Sequence, residues 1–483
     1  MDVDLREVYD DIDDEIYNPY EYLGGDDDVG YHRVCGHDDG QEEFETESIY
    51  DMYKYCLTFS VYGTAEYLLP LILSSILFNI ISSIIITRKL SHNVYHIFSI
   101  VIGIFIIHRY VPESLDLLGL YVLLSYGSFY ITIKCKRLIE ILLFNLIIVL
   151  YCEFSMNPKD WHKIRGVIML AVMKTISISV DKMDDNNFPN IFAYSGYIFS
   201  STNCIFGPWI PFNDYINSLE YKKSKSNYEL IKIILSNILN GIKNIIIALI
   251  FLGISNCILS WLLPDYHSRW ILAYRDALAF RTSHYFISFT SFSLLLLGGF
   301  TSSLSAVTKP LDIELPRSLV QVVVSWNIPM HNWLKQYVFR ITLRKFGKFI
   351  SIILTYLTSS LLHGMNFQLS AVLLSLGFYT YVEYELRNIL ANTFDACIAA
   401  KKCKHNKCHH KYNNKNSIFI VIINIGFLIL SVFHLAYLGL VFDTSNIQNT
   451  GYDYSHTINK WSQLGFSSHW MALVTYLIYF LIK

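Results

Sequence analysis

Hydrophobic runs without charge recur along this chain at a length that fits a bilayer. Residues 68–87 are twenty positions with no Asp, Glu, Lys or Arg, and 244–264, 417–442 and 462–482 repeat the pattern. About 20 apolar residues of helix cross the hydrocarbon core, and several such runs in one chain do not read as soluble core. Hydrophobic segments are predicted at 66–87, 92–111, 114–133 and 138–152. Further ones follow at 191–210, 231–263, 348–365, 367–390, 417–442 and 463–482. Within 160–181, Trp161, His162, Lys163, Arg165 and Lys174 interrupt the apolar pattern, which predicts an interfacial or cavity-lining helix. The stretch 268–345 mixes charges with aromatics. Such a segment sits at membrane depth only around a water-filled cavity or inside protein, so a solvated interior vestibule is predicted there. The pattern gives an all-α, polytopic bundle of about eleven transmembrane helices with re-entrant or interfacial helices. It has no internal repeat and no second folded domain.

Composition sharpens this picture. The 483 residues are 53% hydrophobic and 16% charged, against about 25% charged in ordinary soluble domains. The net charge of −2 conceals a split: residues 1–50 carry −16, which leaves +14 on the body. The acidic stretch has too little apolar content to offset the entropy of ordering, so residues 1–60 are predicted to be a disordered tail. Its acidity is the opposite of a secretory signal's basic start, so the first membrane helix is expected to target the chain. Basic clusters such as Arg88-Lys89 and Lys134-Cys135-Lys136-Arg137 punctuate the helices, and clusters of this kind stay cytoplasmic. The nine cysteines are scattered in or beside apolar runs and suggest no disulfide framework. The cluster from Cys403 to His410 has zinc-ligand types but no distant second pair, and reads as a basic solvent loop.

Two constellations carry candidate chemistry. His363 ends an apolar segment, with Ser359 and Ser360 one helical turn before it and Tyr356 a further turn back. Residues three and four apart share a helix face, so the pattern is a polar stripe leading to an imidazole, the side chain best suited to general-base work near neutral pH. A histidine satisfied by Ser360 or by a carbonyl fits the local pattern as well. The second constellation is Ser325-Trp326-Asn327-Ile328-Pro329-Met330. Asn327 offers an amide donor for a developing oxyanion, and a capped helix start with Pro329 in its first turn fits equally. His96, His108, His284 and His434 are isolated and read as structural or interfacial.

Taken together, the two constellations resemble a known signature. Trp326-Asn327-x-Pro329, with Leu362-His363-Gly364 following 36 residues after the asparagine, resembles the Asn/His pair of the membrane-bound O-acyltransferase superfamily. Pro316-Arg317-Ser318-Leu319-Val320, Trp161-His162-Lys163-x-Arg165-Gly166, Phe206-Gly207-Pro208-Trp209-Ile210 and Phe433-His434-Leu435-Ala436-Tyr437 resemble one branch of it. That branch moves palmitoleoyl, a monounsaturated acyl group, from coenzyme A to a serine of Wnt proteins in the endoplasmic reticulum membrane. The resemblance covers roughly residues 64–483. It implies His363 as general base and Asn327 as stabiliser of the intermediate. It further implies Trp326, Trp333, Tyr337, Arg340, Tyr356, Ser359 and Ser360 as substrate-binding residues. Arg340, Arg344, Lys345 and Lys348 are candidates for the anionic end of coenzyme A. The implied partners are palmitoleoyl-CoA as donor substrate, a Wnt serine on a lumenal hairpin and the bilayer, with no nucleic acid, metal or cofactor. A lipid acyltransferase of the same superfamily, a hydrolase using the same base and a transporter are the competing classes. Against the transporter class, the sequence shows no repeated pair of Gly/Pro-broken segments in its two halves, which many transporters carry.

Overall fold

The computed structural model describes residues 48–183, 188–300, 306–364, 366–401, 403, 410–413, 417–442 and 454–483. Among these the chain is helical, and one isolated bridge between Ala396 and Tyr412 stands outside the helices. Most of the acidic tail and most of the Cys403–His410 cluster lie outside the described residues.

The first helix, α1, spans Ile49–Thr87. Ser48 caps it by accepting from the Tyr50 amide, and it ends where Arg88 and Lys89 leave helical geometry. Residues 49–60, expected to belong to the tail, are therefore helical. Helices α2 (His92–Tyr110), α3 (Leu115–Cys135) and α4 (Ile139–Ser155) follow. The next, α5, covers Pro158–Lys182. Helices α6 (Ile191–Ile198) and α7 (Phe212–Lys223) lead into α8, Asn227–Leu262. A capping box starts α8: Glu229 accepts from the Ser226 amide at 2.8 Å while Ser226 accepts from the Glu229 amide, which satisfies two amides that the first turn would leave unpaired. Helix α9 runs over Arg269–Leu297. Three short helices come next: α10 (Pro310–Glu314), α11 (Leu319–Trp326) and α12 (Ile328–Leu334). The long helices α13 (Arg340–Leu362), α14 (Phe367–Thr393) and α15 (Ile418–Gly439) precede the final pair, α16 (Tyr454–Gln463) and α17 (Ser467–Ile482).

The protein is a multi-pass, all-α membrane protein. Among the described residues five segments are long and apolar enough to cross: α1, α2, Pro112–Cys135, α8 and α15. The pair α16–α17, bent by 75°, makes a sixth if counted as one span. The expected span at 191–210 is broken after Ile198, where the chain runs as buried irregular backbone through a cis Gly207-Pro208 bond. That backbone is supported from α5. The Lys174 ammonium donates to the Tyr197 and Ile198 carbonyls and to Asn203 Oδ1 at 2.9, 3.0 and 3.0 Å, and Asn203 Nδ2 donates to the Pro208 carbonyl. Irregular backbone is tolerated at this depth only when its polar groups are satisfied by protein. Helix α5 is accordingly a central helix, with nearly every position from Val167 to Val180 buried, so of the two placements expected for it the interfacial one does not hold.

Three further features pin the frame. A disulfide joins Cys56 on α1 to Cys257 on α8 across 201 residues, a pairing that the scattered cysteines did not suggest. Arg281 on α9 makes a two-pronged pair with Glu314 at 2.8 and 2.9 Å, and the Tyr285 hydroxyl donates to the same carboxylate at 2.6 Å. Arg387 on α14, fully buried, donates to Glu383, to the Ile398 and Arg317 carbonyls and to Asn424. Glu383 in turn accepts from the Leu319 amide at 2.8 Å, which fixes the start of α11. Outside the helices, Asp395 accepts from the Lys411 amide at 3.1 Å and pairs with His410. These two donors hold its carboxyl below the usual range.

Candidate active site

Helix α11 stops at Trp326 because Asn327 adopts extended geometry (φ −142°, ψ 91°). The Asn327 side chain then caps α12, its Oδ1 accepting from the Met330 amide at 3.1 Å, with Pro329 in the first turn. The capped helix start read from the sequence is therefore present. It does not compete with the chemical role: the cap uses the oxygen and leaves both amide hydrogens on the nitrogen to donate elsewhere.

The turn is held from two sides. On one, the Ile328 amide donates to the Val307 carbonyl at 2.8 Å, and Lys309 N–H and Thr308 Oγ1 both donate to the Ser325 carbonyl. On the other stands His284 of α9. Its ring stacks on Trp326 with centroids 4.2 Å apart and planes within 5°. Its Nε2 lies 2.9 Å from the Trp326 carbonyl, and because a carbonyl only accepts, Nε2 carries the proton. Phe280, one turn earlier on α9, also stacks on Trp326, at 6.0 Å.

His363 closes α13. Its amide donates to the Ser359 carbonyl at 3.3 Å, and Gly364 takes φ +85°, the left-handed geometry that commonly ends a helix at glycine. Behind this turn sit Glu153 of α4 and Arg165 of α5. A Cβ on Gly364 would lie 3.0 Å from Glu153 Oε2 and 3.1 Å from Arg165 Cδ and Nη1. Glu153 also accepts from Trp161 Nε1 at 2.7 Å. His284 thus touches the Trp326–Asn327 turn through both its ring face and its Nε2.

The other residues singled out from the sequence divide by location. Ser360 bonds the Ser370 hydroxyl of α14, and Tyr356 packs its ring on Gly377 of the same helix. Both therefore tie α13 to α14. Ser359 is buried and gives its carbonyl to His363. Trp333 is 1% exposed and donates to the Met173 carbonyl of α5 at 3.0 Å. The Tyr337 hydroxyl donates to the Asp181 carboxylate at 2.8 Å. Arg340 lines a cleft of about 240 Å³ with Trp209, Asp214, Pro329, Asn332 and Lys335. Reading the sequence missed His284, Arg165 and Glu153 as site residues. The spacing Phe280, His284, Ser288, one face of a long helix, was the available signal for the first.

A half-buried imidazole at a helix end and a turn whose asparagine keeps both amide hydrogens, inside a membrane bundle, suit acyl transfer. The model of the membrane-bound O-acyltransferase family matches residues 129–397, a range that includes both Asn327 and His363. This chain belongs to the membrane-bound O-acyltransferase family. It is an acyltransferase, and curated members resemble it over most of its length. A protein-serine O-palmitoleoyltransferase porcupine of Anopheles gambiae is 34% identical over 428 residues, covering 82% of either chain. The Homo sapiens protein of the same name is 35% identical over 370 residues, 70% of this chain and 77% of its own. One from Caenorhabditis briggsae is 29% identical over 374 residues, 74% of this chain and 80% of its own.

Proposed function

We propose that this chain transfers a palmitoleoyl group from coenzyme A to a serine hydroxyl of Wnt proteins, with His363 as base and Asn327 as oxyanion donor. What carries the reading is the match to relatives named protein-serine O-palmitoleoyltransferase, which at 82% coverage has to run through both site residues. In the step, His363 takes the serine hydroxyl proton as the oxygen attacks the thioester carbonyl. The Asn327 amide donates to the oxyanion of the tetrahedral adduct. The adduct collapses, the carbon–sulfur bond breaks, and the imidazolium returns its proton to the departing thiolate, so the base is regenerated.

The helix ends support an orientation in the endoplasmic reticulum membrane. Arg88-Lys89 ends α1, Lys134–Arg137 ends α3 and Lys222–Lys225 precedes α8, and such clusters stay cytoplasmic. The Cys56–Cys257 bridge lies at the opposite ends of α1 and α8, and disulfides persist in oxidising compartments such as the reticulum lumen. Acyl-CoA then enters from the basic side, where α13 begins with Arg340, Arg344, Lys345 and Lys348, and the protein acceptor approaches from the disulfide side.

The test is transfer of label from palmitoleoyl-CoA, by purified protein, to a hairpin peptide carrying one serine. The same peptide with alanine and a bilayer lipid serve as parallel acceptors. Label on the serine peptide alone is the expected result. Label on lipid with none on peptide assigns the chain to the lipid-acylating class instead.

A further inference from the structure

We propose that His284 is a positioning residue for acyl transfer, acting by fixing the Trp326–Asn327 peptide group from which the Asn327 side chain departs. The inference rests on the reading of His363 and Asn327 as the reacting pair.

The carbonyl of Trp326 ends α11, where a helix leaves its last carbonyls without intrahelical partners. The Ser325 carbonyl beside it is met by two donors, Lys309 N–H and Thr308 Oγ1. The Trp326 carbonyl is met by His284 Nε2 at 2.9 Å. That carbonyl and the Asn327 N–H belong to one planar unit, so holding the oxygen sets the orientation in which the Asn327 side chain departs. The cap to Met330 then fixes the Asn327 carboxamide by its oxygen. Its nitrogen is thereby aimed by two bonds, one at each end of the residue.

His284 is itself held in place. Its ring lies flat on Trp326, and the Ser288 hydroxyl, one turn on, is 3.4 Å from the same Nε2. Helix α9 is anchored to α10 by Arg281 and Tyr285, which both meet Glu314. The ring nitrogen that faces the turn is occupied as a donor to a carbonyl. His284 therefore supplies a fixed hydrogen bond, whereas His363 is the histidine left to exchange a proton with substrate.

Two variants separate the bond from the ring. His284→Asn keeps a short side-chain N–H donor and loses the imidazole, while His284→Phe keeps the stack on Trp326 and loses the donor. Each is purified and checked for folding by gel filtration and palmitoleoyl-CoA binding. Turnover is then measured with the serine peptide, in wild-type and Asn327→Ala backgrounds, alongside His363→Ala. The expected result is a loss in kcat of about 10- to 100-fold for His284→Phe with KM for acyl-CoA unchanged, the effect of leaving one buried carbonyl unpaired and an amide misaimed. His284→Asn should stay within about threefold of wild type. In the Asn327→Ala background His284→Phe should cost less than about threefold, because residues acting through one another are non-additive. Wild-type kcat in His284→Phe, equal damage from both substitutions, or full additivity with Asn327→Ala overturns the proposal while the reacting pair stands. Unimpaired transfer by His363→Ala is the distinct result that removes the reacting pair itself.

Discussion

Replacing Gly364 by alanine tests whether the turn after α13 sets the position of His363. Gly364 has φ +85°, and an L-residue in left-handed geometry costs roughly 1–2 kcal/mol. The added Cβ would stand 3.0 Å from Glu153 Oε2 and 3.1 Å from two atoms of Arg165. Comfortable carbon contacts begin near 3.5 Å, so the turn has to shift by about 0.5 Å. Misplacing a reacting group by about 1 Å costs on the order of 10²-fold, and half that displacement corresponds to roughly tenfold. Gly364→Ala should therefore lower kcat about tenfold, with a fall of a few degrees in Tm, corresponding to about 1–2 kcal/mol. Steady-state transfer with acyl-CoA and a serine peptide gives the first number, and thermal unfolding in detergent gives the second. Wild-type Tm would refute the conformational argument. A lowered Tm with wild-type kcat would refute the link between this turn and His363.

Other perturbations probe the frame and the orientation. Glu314→Ala strands the Arg281 guanidinium, whose side chain is 4% exposed, and should cost about 3 kcal/mol. Thermal unfolding checks it, with Glu314→Gln retaining part of the loss, and an unchanged Tm for both would mean that the pair does not hold α10 to α9. Cys56 and Cys257 should resist alkylation in intact microsomes until a reductant is added, as read by mass tagging. Ready labelling of both thiols without reduction would contradict the bridge and the proposed lumenal placement.

The long apolar runs were legible because hydropathy alone marks them: residues 68–87 and 417–442 became α1 and α15. The segment 191–210 was not, because its hydropathy resembles a span while its path after Ile198 depends on Lys174 and Asn203 meeting its carbonyls from a distance in sequence. The same blindness left α5 open between an interfacial and a cavity-lining placement, since a lysine reads as solvent-facing until its three buried acceptors are known. The cysteine pair was hidden by a separation of 201 residues and by the apolar surroundings of both members. At the site, Asn327 and His363 stood out as polar groups in apolar context. His284 did not, because what distinguishes it from other isolated histidines is a carbonyl 42 residues away in sequence.

The central claim is that His363 acts on the acceptor and not on the donor. Its most direct test measures transfer and acyl-CoA binding together in His363→Ala. A base that deprotonates the serine stabilises the transition state and contributes little to donor affinity. Removing it should lower kcat by roughly 10²–10⁴-fold, or about 3–5 kcal/mol of barrier, with Kd for a non-hydrolysable palmitoleoyl-CoA within about twofold of wild type, the range of unperturbed binding. Near-normal transfer, or a loss of transfer fully matched by a loss of donor binding, would contradict His363 as the base.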